Sequence, residues 1–370
     1  MSFGNKPDLT LPKDKIQKSC VELFSTMKKS IKLVTGGAGF VGRHLVGNLL
    51  KEGSEVWILD NLLSGMHPDK WLKDFKKTKQ GKYFVYTKGK QKVVFIYADA
   101  IDFFRNELNL NAIPFFGEVY HLAAVVGGRA VLIENDPIIV ATNHIIDSAF
   151  FMWACRNKKN IGRILYVSTS VSYPKSMQDR NKHVAMKEEY LKFEDGGVIG
   201  LPESIYGWIK LSGEYLAQVT AKKYGVSVVC VRPFSGYGED QDLNYPIPSI
   251  ASRVVRREDP LIVWGSGDQG RDWIHVDDFV AGLRIAIKKI SDGSAVNIGA
   301  GELTTFKQVA ATMAELEGYS PKIKGLTDKI EGSFAVYSNP AYLKSLGWQQ
   351  KVSVKEGFRR VLERVRKELT

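Results

Sequence analysis

The sequence predicts an α/β protein: a doubly wound parallel sheet with a smaller α/β domain interleaved with it. Three observations carry that expectation. Nearly continuous apolar runs recur along the chain: IKLVT from Ile31, EVWILD from Glu55, KVVFIYAD from Lys92, EVYHLAA from Glu118, RILYVSTS from Arg163 and VSVVCVRPF from Val226. Helical segments separate several of them, and strands covered on both faces read as unbroken apolar runs. A glycine-rich turn, TGGAGFVG from Thr35 to Gly42, lies between the first strand and a helix running through HLVGNLLKEG.

Taken in order, residues 1–30 form an appendage before the first strand. Ile16, Cys20, Val21, Phe24 and Met27 fall on one helical face there, suited to packing on the body of the protein rather than on a membrane. Residues 31–235 are expected to form the cofactor domain, with returning segments near 272–300. Residues 236–370 are expected to form mainly the smaller interleaved domain, since Gly-, Pro- and Asp-containing loops alternate with short elements from Tyr237 onward. Two stretches interrupt the rhythm. The lysine-rich run from Trp71 to Lys92 and the polar run from 174 to 203 both read as long loops, which in compact domains are usually functional or disordered.

Composition excludes several classes. With 370 residues, 44% hydrophobic and 25% charged, the chain can bury a full core. No apolar run reaches the roughly 18 residues of a membrane span. The start lacks the basic-then-apolar order of a secretory signal, and Asp8, Asp14 and Glu22 argue against a transit peptide, so a cytoplasmic location is expected. Cys20, Cys155 and Cys230 are far apart, with neither a CxxC pair nor a metal-ligand spacing. The net charge of +12 gathers in the N-terminal segment, in Lys70 to Lys92 and in the last helix. Such dispersed clusters read as solvated faces rather than a nucleic-acid groove, and they also suit a substrate carrying a diphosphate.

The glycine turn has a physical role. Gly36 permits the tight turn, Gly39 lets backbone approach a pyrophosphate, and Gly42 allows close helix packing. The helix start, with Phe40 and Val41, offers free N–H groups and partial positive charge to phosphates. Asp60 ends the second strand, where a carboxylate accepts ribose hydroxyls. No Arg or Lys stands among Asn61, Leu62 and Leu63 to receive an extra phosphate, so NAD rather than NADP is expected. Tyr206 and Lys210 form YGWIK. On a helix, positions i and i+4 share a face, so an ammonium can assist a phenol that is a poor base near neutral pH.

TGGAGFVG, STS and YxxxK together resemble the extended short-chain dehydrogenases, the NAD-dependent epimerase/dehydratase family, from Ile31 nearly to the C-terminus. The resemblance implies a Rossmann sheet, a nucleotide-diphosphate sugar as substrate held mainly by the smaller domain of residues 236–370, and a homodimer formed through helices around 138–157 and 204–224. The apolar Ile145, Ile146, Ala149, Phe150 and Trp153 would supply either that dimer face or an internal core face. It further implies that Asp99 and Ala100 meet the adenine side, and that His121, Leu122, Ala123 and Ala124 line the cofactor. Thr169 matches the catalytic hydroxyl beside Tyr206 and Lys210. Ser170 stands beside it, Gly127 and Gly128 resemble the branch containing GDP-mannose 3,5-epimerases and GDP-fucose synthases, and Arg271 in WGSGDQGRDWIHVDD matches the diphosphate ligand. His275 matches a structural position, and Asp277 and Asp278 are expected to cap the following helix.

The implied first step oxidises the sugar, usually at C4, to a 4-keto intermediate. Relatives that dehydrate or decarboxylate carry a glutamate two residues after the catalytic Thr, and the GDP-sugar branch carries a cysteine. This chain has Val171, which cannot exchange protons. A 4-epimerase is the simplest activity left. A nucleotide-sugar oxidoreductase, a GDP-sugar 3,5-epimerase and a non-enzymatic NAD- or nucleic-acid-binding protein remain as alternatives. Two departures bear on the substrate: Ser235 replaces the usual asparagine, and Val336, Tyr337 and Ser338 stand where an arginine-containing pattern is expected.

Overall fold

The computed structural model describes residues 31–106, 113–126, 137–193, 199–328 and 332–369. The appendage helix expected before Ile31, with Cys20, lies outside the described residues, as do Gly127 and Gly128. The chain runs through β1 (Ile31–Thr35), α1 (Phe40–Lys51), β2 (Glu55–Asp60), β3 (Lys76–Gln80), β4 (Tyr83–Lys88) and β5 (Gln91–Tyr97). It continues through α2 (Ala100–Asn106), β6 (Phe116–His121), α3 (Pro137–Arg156) and β7 (Ile161–Val167). Then come β8 (Gln178–Asp179), β9 (Lys182–His183), α4 (Ile205–Tyr224), β10 (Ser227–Pro233) and β11 (Ser235–Tyr237). The C-terminal part holds α5 (Pro246–Val255), β12 (Leu261–Trp264), β13 (Gly270–His275), α6 (Val276–Lys289) and β14 (Asp292–Ile298). It ends with β15 (Leu303–Thr305), α7 (Phe306–Leu316), β16 (Ile323–Leu326), β17 (Ala335–Val336), α8 (Ala341–Ser345) and α9 (Val354–Leu369).

The main sheet has the order β14-β10-β7-β6-β1-β2-β5-β4-β3. From β14 to β5 every pairing is parallel. The chain winds outward from β1 in both directions, so the strand order reverses between β1 and β6, and a crevice opens there at the carboxyl edge. Successive residues face opposite sides. Val34 and Val229 pack under α1 and α6 with Leu45, Leu49 and Leu283. Leu33 and Val228 pack under α2 and α3 with Phe104, Phe150 and Trp153. The expected doubly wound fold is what forms.

A second core gathers where α5, α7 and α9 meet β12 and β13, around Ile250, Val263, Met313 and Phe358. Its strands form separate small sheets, β12 with β16 and β13 with β11, β15 and β17.

Three expectations need correcting, and one left open is resolved. The lysine-rich stretch is not one long loop: β3 and β4 make an antiparallel hairpin that continues the sheet from β5. Gly81 at φ 59° turns it, a conformation glycine adopts freely. The apolar residues of α3 mostly serve the interior. Ile146, Ala149, Phe150 and Trp153 are buried in the core, and of the expected dimer face only Ile145 is exposed. That helix, 20 residues long with a mean hydropathy of 1.4, also reaches the length and composition of a membrane span. Nearly half of its apolar stretch is buried, and Asp147 in its middle pairs inside the protein, as in a core helix. Finally, His275 rather than Asp277 or Asp278 caps α6, accepting the Asp277 N–H at 3.3 Å. The Asp278 carboxylate instead accepts the N–H groups of Lys351 and Val352.

Candidate functional site

At the crevice the glycine turn behaves as its spacing suggests. Gly36 has φ 67°, and a Cβ there would lie 2.9 Å from the Ala123 nitrogen. A Cβ on Gly42 would lie 2.2 Å from the Gly36 carbonyl oxygen, so α1 can start this close only with glycine. Gly39 is the N-cap of α1 and brings no side-chain cap, leaving the helix start with Phe40 and Val41 open to an anion. Beside it an open cleft is lined by Gly36, Asp60, Asn61, Asp99, Ala100, Ala123 and Ala124, among others. Leu122 lies behind this wall, packed on the core, with its N–H bonded to the Thr35 carbonyl.

Asp60 is anchored rather than loose. Its two oxygens accept the Ala38 N–H at 3.0 Å and the Leu62 N–H at 2.8 Å. Burial raises its pKa, and these N–H groups with Arg43 work against that rise. Asn61 donates to Asp99, whose other oxygen accepts the Ile101 N–H. Arg43, on the first turn of α1, bonds the Ala38 carbonyl and the Asp240 carboxylate and so ties the glycine turn to the loop after β11. Uncapped helix start, glycine cradle and anchored carboxylate fit a dinucleotide: phosphates at α1, ribose at Asp60.

The predicted chemical residues converge on the far side of the switch point. Ser204 caps α4 by accepting the Gly207 N–H, and the helix then presents Tyr206 and Lys210, both buried. Thr169 caps a 3-10 turn at the end of β7, its hydroxyl oxygen accepting the Val171 N–H at 3.3 Å. Lys210 Nζ lies 3.1 and 3.3 Å from the two oxygens of Asp147 on α3, and 4.3 Å from the centre of the Tyr166 ring. Asp147 Oδ2 also accepts the Tyr166 hydroxyl at 2.6 Å. Burial opposes ionisation of Asp147, yet Lys210, His121 and Tyr166 hold its pKa below the ordinary value. Burial pushes the Tyr206 phenol up, and the negative charge of Asp147 and the nearby Tyr245 add to that.

A chain of hydrogen bonds links this centre to the cleft wall. The Ala123 N–H donates to Thr35 Oγ1 at 3.1 Å, Thr35 Oγ1 meets His121 Nδ1 at 2.9 Å, and His121 Nε2 meets Asp147 at 3.3 Å. Burial lowers the His121 pKa, so the ring is neutral near neutral pH. One tautomer satisfies every link: the Thr35 hydroxyl donates to Nδ1 and Nε2–H donates to Asp147.

On the substrate side, Arg271 is buried on β13, donating to the Gly270 carbonyl and lying 5.9 Å from the Phe306 ring centre. Ser170 is buried in the 3-10 turn after β7. Ser235 starts β11, opposite Trp273 of β13. Ser168, in contrast, belongs to the interior, donating to Glu214 at 2.5 Å. Val171 occupies its expected place. Its carbonyl accepts the N–H of Glu203, whose carboxylate accepts the Ser333 N–H at 3.0 Å. Asp147, Tyr166 and Tyr245 were not singled out from sequence. His121, expected to line the cofactor, is instead buried behind the cleft wall between Thr35 and Asp147.

The family model described as "NAD dependent epimerase/dehydratase family" matches residues 32–299. A putative UDP-glucose 4-epimerase of Methanocaldococcus jannaschii is 27% identical over 340 residues, 89% of this chain and 96% of that protein. UDP-glucuronic acid decarboxylase 1 of Xenopus tropicalis is 27% identical over 357 residues, 94% of this chain and 75% of that one. Among solved structures, the UDP-glucose 4-epimerase of Thermotoga maritima with UDP-glucose superposes with a TM-score of 0.73 at 26% identity. The match covers 92% of this chain and all of that one. With the glycine turn, the strand order and the match to most of the chain agreeing, this protein belongs to the NAD-dependent epimerase/dehydratase family.

Proposed function

We propose that this chain is a nucleotide-sugar epimerase working through a 4-keto intermediate, most simply a 4-epimerase. Val171 is the observation that carries the choice. At the end of β7, where proton exchange beside the ketone would need an acid or base, it presents an alkyl side chain.

In this reading the start of α1 receives the cofactor's phosphates, Asp60 its ribose, and Arg271 the diphosphate of the sugar nucleotide, a task suited to a planar guanidinium. When bound, NAD supplies the acceptor and donor for the hydrogen of the oxidised carbon. The Thr169 oxygen accepts from Val171, which leaves its O–H free to donate to the sugar oxygen. Tyr206 takes the proton from that oxygen as the ketone forms and returns it after the ketone turns. The Lys210 ammonium stabilises the phenolate across one helical turn.

Glu203 favours a second reading. Its backbone is bonded to Val171, placing a carboxylate-bearing residue beside the valine. If Glu203 moves a proton at a carbon next to the ketone, the activity is a 3,5-epimerisation or elimination. Incubation of UDP-, GDP-, dTDP- and CDP-sugars with the NAD-loaded enzyme in heavy water, followed by isomer-resolved mass analysis, tests both. A new isomer without carbon-bound deuterium is expected. Deuterium on carbon selects the Glu203 reading, and lasting reduction of added NAD selects a net oxidoreductase.

We also infer a homodimer through α3 and α4, whose outward faces expose Ile138, Ile145 and Met152, and Ile205, Trp208 and Tyr215. Exposed apolar surface of this kind marks an interface. Light scattering checks it, and a monomer at working concentration overturns it.

A further inference from the structure

We propose that Asp147 is a positioning residue: its carboxylate holds the Lys210 ammonium in place and sets the pH at which Tyr206 ionises. The proposal rests on the reading of Tyr206 as the base.

The geometry gives Asp147 this place. It projects from the middle of α3 into the interior at 3% exposure, where a carboxylate persists only when paired. Among the described residues, it is the one hydrogen-bonding partner of the Lys210 ammonium. Its remaining capacity is taken by the Tyr166 hydroxyl and His121. Through His121 and Thr35 it is bonded to the Ala123 N–H, which lies against Gly36 in the cleft wall. The ammonium is therefore fixed relative to the glycine turn by an unbroken line of hydrogen bonds.

The charges facing this centre can be named element by element. From β6 comes His121, kept neutral by burial. From β7 comes Tyr166, and behind it from β10 Cys230, both pushed up by burial and so protonated. From α4 come Lys210 and Tyr206, and at the start of α5 stands Tyr245, also pushed up by burial. Among the described residues that meet here, Asp147 and Lys210 are thus the two charges, and they balance; the Glu214–Arg232 pair behind Cys230 is balanced in itself. A bare ammonium one turn from the phenol would strongly favour phenolate; an ammonium beside a buried carboxylate favours it far less. In this arrangement Tyr206 keeps its proton until another positive charge enters the site, and the oxidised nicotinamide is such a charge.

The test follows Tyr206 itself. The ultraviolet phenolate absorbance of the NAD-loaded protein is titrated and the titration of Tyr206→Phe subtracted. The same difference is then taken in the Asp147→Asn background. The expected result is a Tyr206 step at least about one pH unit lower in Asp147→Asn, or one present below about pH 10 where the parent shows none. Asp147→Glu, which keeps the charge, is expected to keep the parent's step. Steps at the same pH in parent and Asp147→Asn, no step below about pH 10 in either, or a shift in Asp147→Glu equal to that in Asp147→Asn overturns the proposal. If Asp147→Asn does not bind NAD, Asp147→Ser takes its place under the same readings. The sugar-converting activity of Tyr206→Phe separates the two levels. A fully active Tyr206→Phe overturns the reading of Tyr206 as base. An inactive one with an unmoved titration overturns only the role of Asp147.

Discussion

Helix α4 carries two buried ion pairs one turn apart, and they are built differently. Glu214 pairs with Arg232 of β10, and that network is closed. Nε and Nη2 reach Glu214 at 2.7 to 3.2 Å, Nη1 reaches the Tyr173 hydroxyl at 3.0 Å, and weaker bonds reach the Glu188 and Leu191 carbonyls. Ser168 fills a further site on Glu214, and Tyr173 donates onward to Asn297. Lys210 has three donors and, among the described residues, one carboxylate partner, which leaves the ammonium capacity for another acceptor. The first pair locks the end of β7 to the polar loop that follows it. The second leaves a charge ready for a ligand. Burial and pairing alone do not separate structural charges from chemical ones; unused hydrogen-bonding capacity does.

The largest effect should come from the open side. Tyr206→Phe is expected to lower turnover by about 10²- to 10⁴-fold, the usual contribution of a general base, with stability changed by less than about 1 kcal/mol. Isomer formation and urea unfolding read the two quantities. On the closed side, Glu214→Gln should cost about 3–5 kcal/mol, because it leaves a buried guanidinium without its counter-charge. Turnover per folded molecule should change little. A Glu214 variant that is stable but inactive would break the distinction between the two pairs.

A smaller effect concerns acid. His121 is neutral when folded and titrates near pH 6.5 when unfolded, so below that pH the unfolded state binds more protons. Stability should fall as pH drops below about 6.5, by up to about 1.4 kcal/mol per pH unit from this residue. Asp147, whose folded pKa is depressed, stabilises above its unfolded pKa and adds its own loss only near pH 4 and lower. Urea midpoints at pH 7.5 and 5.5 should converge in His121→Gln; an unchanged gap would remove His121 from the account.

What was legible in the sequence is what repeats locally. The parallel strands announced themselves as apolar runs, the glycine turn by its spacing between strand and helix, and Tyr206 with Lys210 by one helical turn. Asp147 had no such signal. Its partners lie 63 residues downstream at Lys210 and 26 upstream at His121, and only the folded sheet brings them together. It also sits on a helix whose apolar residues dominated the reading. The hairpin of β3 and β4 was hidden for another reason: KKTKQ has no apolar face, although the glycine at 81 and the run YFVY gave a turn and a strand to look for. His275 was missed as a cap because aspartates follow it, and Asp278 turned inward to bond the chain before α9.

The same strand β3 has a consequence for how copies of this protein behave in a crowd. Among the described residues it is the last strand of a nine-stranded sheet, all five of its residues are exposed, and an edge of this kind offers its backbone groups as a template to a passing strand. Three of the five residues are lysine. Lys77 is paired with Asp69, but a second molecule aligning edge to edge would bring the ammonium groups of Lys76 and Lys79 against their own kind, and like charges across a ladder are repelled. Part of the +12 net charge therefore stands where it opposes edge-to-edge pairing of two such sheets.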